Sequence, residues 1–399
     1  MLENRSVPSH NQAIFLQSGA YGLTFILPQL FDSFGANEKT VGTMLLLTAV
    51  ATLITVYYSG HLSDIFGRVR VLGAACLSIA LALFLYGSAN GVDLRLMIAS
   101  ILLGCGWGLT YSLAPVVMTR LVCSEKRVRY FALLSVFIMA GFGLSPVLSS
   151  FVQKIGFTVN DAFYMTAALC IISAVIFFVL VAPVHAHSLN AGTETTSRLT
   201  LRTALQILHS RALLPIIMVC LGASVFAGMN NFQTVFAKNR GLNYADYFLA
   251  YTITVMGFRV LLARSKGGKS PYLSIAFLQY VMCGSILLFL YMGNSAVLYI
   301  AVAILFGIGY GVSYPILAAM ASNDADTALI PQTLQLFALA YFIGIFGFPL
   351  IAGWLIVEFG TGALLWLIIA LAFIEASMAA RRAFYNSGAM KPAYVKLSE

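Results

Sequence analysis

The sequence predicts an all-α polytopic membrane protein: twelve transmembrane helices in two six-helix halves related by a pseudo-two-fold axis. Three observations carry this reading. Of the 399 residues, 60% are hydrophobic and 9% charged, with a mean hydropathy of +0.90, more apolar surface than a water-soluble fold buries. The apolar residues fall in continuous runs close to the roughly 20 residues that cross a hydrocarbon core, without the period-two alternation of a β-barrel. Two motifs in consecutive runs recur further along the chain at one shared offset.

The runs lie near 13–34, 41–60, 70–89, 95–118, 130–152 and 161–183, and again near 212–237, 244–263, 271–291, 295–320, 329–357 and 361–380; they are numbered segments 1 to 12. Segment 1 is too long for a removable signal, lacks a basic lead and has no small-residue cleavage site, so it is expected to remain as a helix. Between segments 6 and 7 lies the one long polar stretch, "VHAHSLNAGTETTSRLTLRTALQILHSR". It divides the chain into an N-terminal six-helix bundle (1–183), a central loop (184–211) and a C-terminal bundle with its tail (212–399). Within the loop, "LTLRTALQILHS" has the pattern of an amphipathic helix lying on a membrane surface.

Charge fixes the expected orientation. With the N-terminus inside, 17 Lys and Arg fall on the inner side and 5 on the outer, leaving Arg259 within segment 8. The positive-inside rule then puts both termini in the cytoplasm and the chain in a cytoplasmic (inner) membrane. The net charge of +9 is thereby topological, and no nucleic-acid partner is expected. Cys76, Cys105, Cys123, Cys170, Cys220 and Cys283 have no paired spacing, so neither a metal site nor a disulfide framework is expected, and no cofactor.

The repeat is read directly. "GCGWGLTY" (104–111) in segment 4 matches "GIGYGVSY" (307–314) in segment 10, and "GFGLSPVLSS" (141–150) in segment 5 meets "GIFGFPLIAG" (344–353) in segment 11, both at an offset of 203. Parallel six-helix repeats are an architecture of alternating-access transporters, with substrate held between the halves.

Between segments 2 and 3 stands "GHLSDIFGR" (60–68). Gly60, Leu62, Asp64, Gly67, Arg68 and Leu72 match the loop signature G-x-L-x-D-x-x-G-R-x-x-x-[VL], and the chain resembles the major facilitator superfamily. The resemblance implies two rocking bundles and a gate in which Asp64 and Arg68 latch onto the second half in the outward-open state. In physical terms, Gly60 is expected at a close helix approach, Gly67 at a tight turn, and Asp64 facing the positive N-terminal end of segment 11. The alternative for Arg68 and Arg70 is a topological role alone. The second-half counterpart, "RVLLARSKGGKSPY" (259–272), lacks the aspartate; it opens on Arg259, read as a gate residue or a snorkelled cation.

In segment 5, Gly141, Ser145 and Pro146 resemble the antiporter motif of the same superfamily, which implies efflux; the alternative is a proline-kinked packing helix. The arginine and glutamine that many proton-driven relatives carry in segment 4 are replaced by Ser100 and Leu103. Two other acids are proton-coupling candidates: Asp32, near the outer end of segment 1, and Glu375 in segment 12, which is otherwise a snorkelled carboxylate or one paired with Arg381 or Arg382.

In the resembled fold, segments 1, 4, 7 and 10 line the central cavity. Gln17 and Tyr21, Trp107 and Tyr111, Asn230 and Asn231, and Tyr310 and Tyr314 are the candidate lining residues; the aromatic pairs stand four residues apart and share a helix face. Packing between helices is the alternative for these side chains. With no mid-membrane charge on those four segments, a neutral or weakly charged amphiphile is the expected substrate. No phosphate-binding glycine loop is present, so ATP does not drive the process. The expectation is a monomeric secondary transporter, not an enzyme, exporting a small drug or metabolite by proton antiport. A facilitator or proton symporter for uptake, and a membrane sensor that does not transport, are the alternatives.

Overall fold

The computed structural model describes residues 3–122, 127–188, 199–264 and 270–389. Cys123, Lys126, Arg198, Lys266, Lys269, the middle of the central loop and the tail with Lys391 and Lys396 lie outside the described residues.

The first six helices are α1 (Glu3–Gly22, continued through Leu27–Asp32), α2 (Glu38–Phe66), α3 (Arg68–Gly87), α4 (Leu94–Leu121), α5 (Arg127–Lys154) and α6 (Val159–Ser188). The second six open with α7 (Leu213–Asn230, continued by Gln233–Asn239), α8 (Tyr244–Arg264), α9 (Pro271–Tyr291) and α10 (Ala296–Asn323). The last long apolar stretch, Thr327–Tyr385, runs for 59 residues, far more than one crossing needs. It is broken at Gly360, where φ is 81° and ψ 170°, giving α11 (Ile330 to Phe359) and α12 (Gly360 to Ala389). Twelve crossings result, and the described residues are helical without strands.

The two halves repeat their packing. In the first, α1 lies against α5 and α6, α2 against α4, and α3 against α4 and α6. In the second, α7 lies against α11 and α12, α8 against α10, and α9 against α10 and α12. The repeated glycines set these approaches. A Cβ on Gly106 would stand 2.7 Å from the Ala75 carbonyl of α3, and one on Gly309 2.7 Å from the Leu278 carbonyl of α9. Gly141 and Gly344 are equally tight, against α1 and α7: their Cβ atoms would meet Ser18 and Ala223 at 2.7 Å. Small residues let membrane helices approach this closely, so dispersion contacts replace the missing hydrophobic drive.

Two expectations need correction. The turn between α2 and α3 is shorter than the polar stretch implied: residues 60–66 continue α2, and only Gly67 leaves the helix, at φ 85°. Gly60 marks no close approach, because a Cβ there would meet nothing within 4 Å. The expected surface helix forms at Leu201–Leu208, where Thr200 and Thr203 cap each other's backbone amides. Its Leu201 is 80% exposed, while Ile207 is buried.

Candidate functional site

The halves meet along two matching seams, α5 on α8 and α2 on α11. The second is closed at the face opposite the chain termini. There Lys39 pairs with Glu358, and a Cβ on Gly42 would stand 2.8 Å from Leu350 Cα. Along the first seam Gln153 donates to the Tyr244 hydroxyl at 3.1 Å, and Ser150 donates to Asn243 at 3.3 Å. The α1–α7 contact joins the same closure: Lys238 donates to Asp32 at 2.6 Å, an interaction that holds the lysine above its usual pKa. At the terminal end of α2, by contrast, Asp64 is exposed.

Between the halves lies a cluster of aromatic rings that brings the sequence-predicted residues together. Tyr21 of α1 stacks on Trp107 of α4, centroids 5.1 Å apart. In the second half Phe226 of α7 stacks on Tyr310 of α10 at 4.6 Å. The equivalent tyrosines Tyr111 and Tyr314 meet hydroxyl to hydroxyl at 2.5 Å across the halves. Several rings not singled out from sequence complete the cluster. Tyr111 stacks on Tyr341 and packs edge-on to Phe342, Tyr21 packs edge-on to Phe346, and Phe25 stacks on Phe248 at 5.3 Å. The signal for three of them was the aromatic run "FALAYFIGIFGF" (337–348), of which the sequence reading used only the part from Gly344 on, as the partner of the segment 5 motif.

The polar atoms of this region are poorly satisfied within the chain. The hydroxyls of Tyr21, Tyr251 and Tyr310 and the Gln17 side-chain carbonyl are buried without a partner among the described residues. Asn230 turns its amide back to the Phe226 carbonyl at 2.9 Å, and Asn231 accepts from Thr24 of α1 at 3.4 Å. Buried hydroxyls and amides left unpaired cost roughly 1–3 kcal/mol each, so such a cluster is a natural place for a guest that supplies partners.

Arg259, expected from sequence as a gate residue or a snorkelled cation, turns inward from α8, and the carbonyl it holds belongs to Gly311, next to Tyr310 of α10. Nε donates to the Gly311 carbonyl at 3.1 Å and Nη1 to the Ser135 hydroxyl of α5 at 2.5 Å. A fixed, forked cation beside phenolic donors is an arrangement that receives a carboxylate or other polarised oxygen.

Of the two carboxyl candidates, Asp32 stands at the outer end of α1 as expected, and Glu375 does not stand as expected. Asp32 is a rim residue, its side chain 63% exposed in its pair with Lys238, so it does not border the aromatic cluster. Glu375 neither snorkels nor pairs with Arg381 or Arg382: it is wholly buried, and Arg382 stands 3.7 Å from Asp324 instead. In α5, Gly141 packs on the α1 backbone and the Ser145 hydroxyl is buried without a partner among the described residues. At the place of the missing segment 4 arginine, Ser100 is buried and shares a 2.8 Å hydrogen bond with Tyr86.

Two packed six-helix halves enclosing a cluster of unsatisfied polar groups are the architecture of a secondary-transporter fold. The family model described as Major Facilitator Superfamily matches residues 12–349, and the chain belongs to that superfamily. A stretch of 126 residues is 30% identical to a probable 4-methylmuconolactone transporter of Cupriavidus pinatubonensis, covering 32% of this chain and 28% of that protein. A stretch of 155 residues is 27% identical to the MFS-type transporter clz4 of Cochliobolus lunatus, covering 39% and 28%. Each match spans little more than a quarter of the relative. Among solved structures, the fold is similar to that of the nucleoside transporter NupG, with a TM-score of 0.73, 15% identity, and 94% of this chain and 99% of that one covered. It is also similar to the human organic anion transporter MFSD10, with a TM-score of 0.66, 14% identity, and the same coverage.

Proposed function

We propose that the chain is a secondary transporter of a small, ring-sized organic compound that carries a carboxylate, lactone or similar polarised oxygen. The observation that carries this reading is Arg259, held by Ser135 and Gly311 beside the tyrosine hydroxyls at the junction of the halves. Aromatic faces would sandwich the apolar body of the guest, unpaired hydroxyls would take its oxygens, and Arg259 would take the acidic end. This refines the neutral amphiphile expected from segments 1, 4, 7 and 10 toward a weak acid. The partial likeness to a probable 4-methylmuconolactone transporter points to the same chemical class.

Transport proceeds, in this reading, by rocking of the bundle 1–183 against 212–399, with 184–211 as the cytoplasmic connector and both termini in the cytoplasm of an inner-membrane monomer. Asp64, Gly67 and Arg68 form the gate that engages when the opposite face opens; Asp64 stands uncommitted while that face is shut. Export in exchange for protons is the favoured direction, supported by the close α1–α5 packing at Gly141, beside Ser145 and Pro146. Uptake is the second reading, and one observation favours it: Ser100 and Tyr86 fill the place of the coupling arginine with a neutral pair.

The test is flux in cells expressing the wild-type chain, Arg259→Gln or an empty vector. Labelled 4-methylmuconolactone and a panel of aromatic and alicyclic monocarboxylates are loaded inside or supplied outside. Net export of at least one such acid by wild type alone supports the proposal, and net entry reverses the direction. Equal flux in wild type and Arg259→Gln removes Arg259 from the site.

A further inference from the structure

We infer that Glu375 is a proton-binding site built into the second half, away from the aromatic cluster but joined to it by two routes; this rests on the transporter reading and names its coupling residue. Glu375 lies on α12 with 0% of its surface exposed, and Gln279 of α9 is 1% exposed. Gln279 donates through one nitrogen to Glu375 Oε1 at 2.7 Å and to the Ser313 hydroxyl of α10 at 3.1 Å. Glu375 Oε2 and Gln279 Oε1 are both buried without a hydrogen-bond partner among the described residues. On the other side stands Gly222 of α7, whose missing side chain makes the room: a Cβ there would lie 2.9 Å from Oε1 and 3.0 Å from Oε2.

No charged side chain contacts this carboxyl among the described residues. The helices packed around it present Gly222 from α7, Gln279 and, one turn on, Cys283 from α9, and Ser313 from α10. On α12 itself the next charged groups are Arg381, six residues on, exposed and set over the Tyr385 ring, and Arg382, seven residues on and engaged with Asp324 and Tyr272. A carboxylate buried with no cation in reach must be neutralised by a proton or a bound cation. A hard metal ion needs about six oxygen ligands, whereas two open oxygens are found here and no group of acids that could hold a metal occurs among the described residues. One proton on Oε2 removes the charge while Oε1 keeps the Gln279 hydrogen bond.

Both neighbours lead to the central tyrosines. Ser313 donates to the Tyr310 carbonyl at 3.0 Å. The α7 stretch that cups Glu375 is wedged on its far side by Gly344, whose Cβ would stand 3.0 Å from Ser224 N, and it leads one turn on to Phe226, stacked on Tyr310. This packing has the face opposite the termini shut. Loss of the proton would put an unpaired charge between α7, α9 and α12 and disfavour that arrangement.

The test uses the purified full-length chain and dicyclohexylcarbodiimide, a reagent for protonated carboxyls in apolar surroundings, with the adduct located by peptide mass spectrometry. Labelling is expected at Glu375 in acid, falling about tenfold per pH unit above its midpoint and absent in Glu375→Gln. Gln279→Leu, which removes the donor to the ionised form, extends labelling to higher pH. A second reading uses Trp107 as the sole tryptophan, with Trp354→Phe and Trp366→Phe. Its emission changes on alkalinisation in that background and loses the change when Glu375→Gln is added. Absence of labelling at every pH, or the same emission change without the carboxyl, overturns the inference. If the protein labels and responds yet moves no solute, the transport reading falls and the proton site stands. If solute moves but Glu375→Gln responds fully to an imposed pH gradient, the proton site falls and the transport reading stands.

Discussion

Tyr111 and Tyr314 occupy equivalent places in the two halves, 203 residues apart, and their hydroxyls meet at 2.5 Å between α4 and α10. Replacing either by Phe removes one bond and leaves the partner hydroxyl unpaired, a loss of about 1–3 kcal/mol. The double variant is expected to lose less than the sum of the two. Thermal unfolding of the four purified proteins reads this cycle, and strict additivity would show that the two hydroxyls are not coupled.

Arg259 holds Gly311 and Ser135 with two different nitrogens. Lysine has one nitrogen and no fork, so Arg259→Lys is expected to behave like Arg259→Gln rather than rescue it. For an acidic guest the loss of apparent affinity should reach about 10- to 150-fold, the range for a hydrogen bond to a charged group. Competition by unlabelled acid in the flux assay measures it; full activity of Arg259→Lys would show that charge alone suffices.

The pair Lys39–Glu358 closes the α2–α11 seam from partly exposed positions. Lys39→Glu should loosen that face by about 0.2–1 kcal/mol, the range for exposed pairs, and the exchange of both residues, Lys39→Glu with Glu358→Lys, should restore it. Reactivity of a cysteine placed at Leu350, whose backbone faces Gly42 across the seam, is the readout, with higher salt narrowing the differences.

Two glycines of one motif should respond in opposite directions. Gly67 sits at φ 85° and ψ 134°, so Gly67→Ala is expected to cost about 1–3 kcal/mol. Gly60 is helical and faces open space, so Gly60→Ala should be neutral or stabilise by up to about 1 kcal/mol. Melting temperatures of the two variants decide this, and a destabilised Gly60→Ala would reveal a close approach in another conformation.

Composition, run length and the repeated motifs made the helices and the two-fold arrangement readable before any coordinates, because the bilayer forces every spanning segment to satisfy its own backbone. The aromatic pairs were readable for a similar reason: spacing by four defines a helix face. What escaped was relation between helices. Arg259 was visible as an intramembrane charge, but only packing shows that α8 turns it to the α10 backbone and across the seam to Ser135 of α5. Glu375 lay close in sequence to Arg381 and Arg382, and that proximity misled. Its partner, Gln279, is 96 positions away, on a helix with no sequence feature to connect the two. Asp32 stands where its sequence position near a helix end put it, at the rim, and that outweighs its helix's place beside the cavity.

The tyrosine contact has a geometric meaning as well. Two groups exchanged by a two-fold rotation touch each other on the axis, so the Tyr111–Tyr314 hydroxyls mark a point on the line, along the membrane normal, about which the two halves repeat. A passage between two such halves follows the same line. In the rocking proposed above, the phenolic bridge therefore lies across the passage itself, and a solute goes by once the two hydroxyls part.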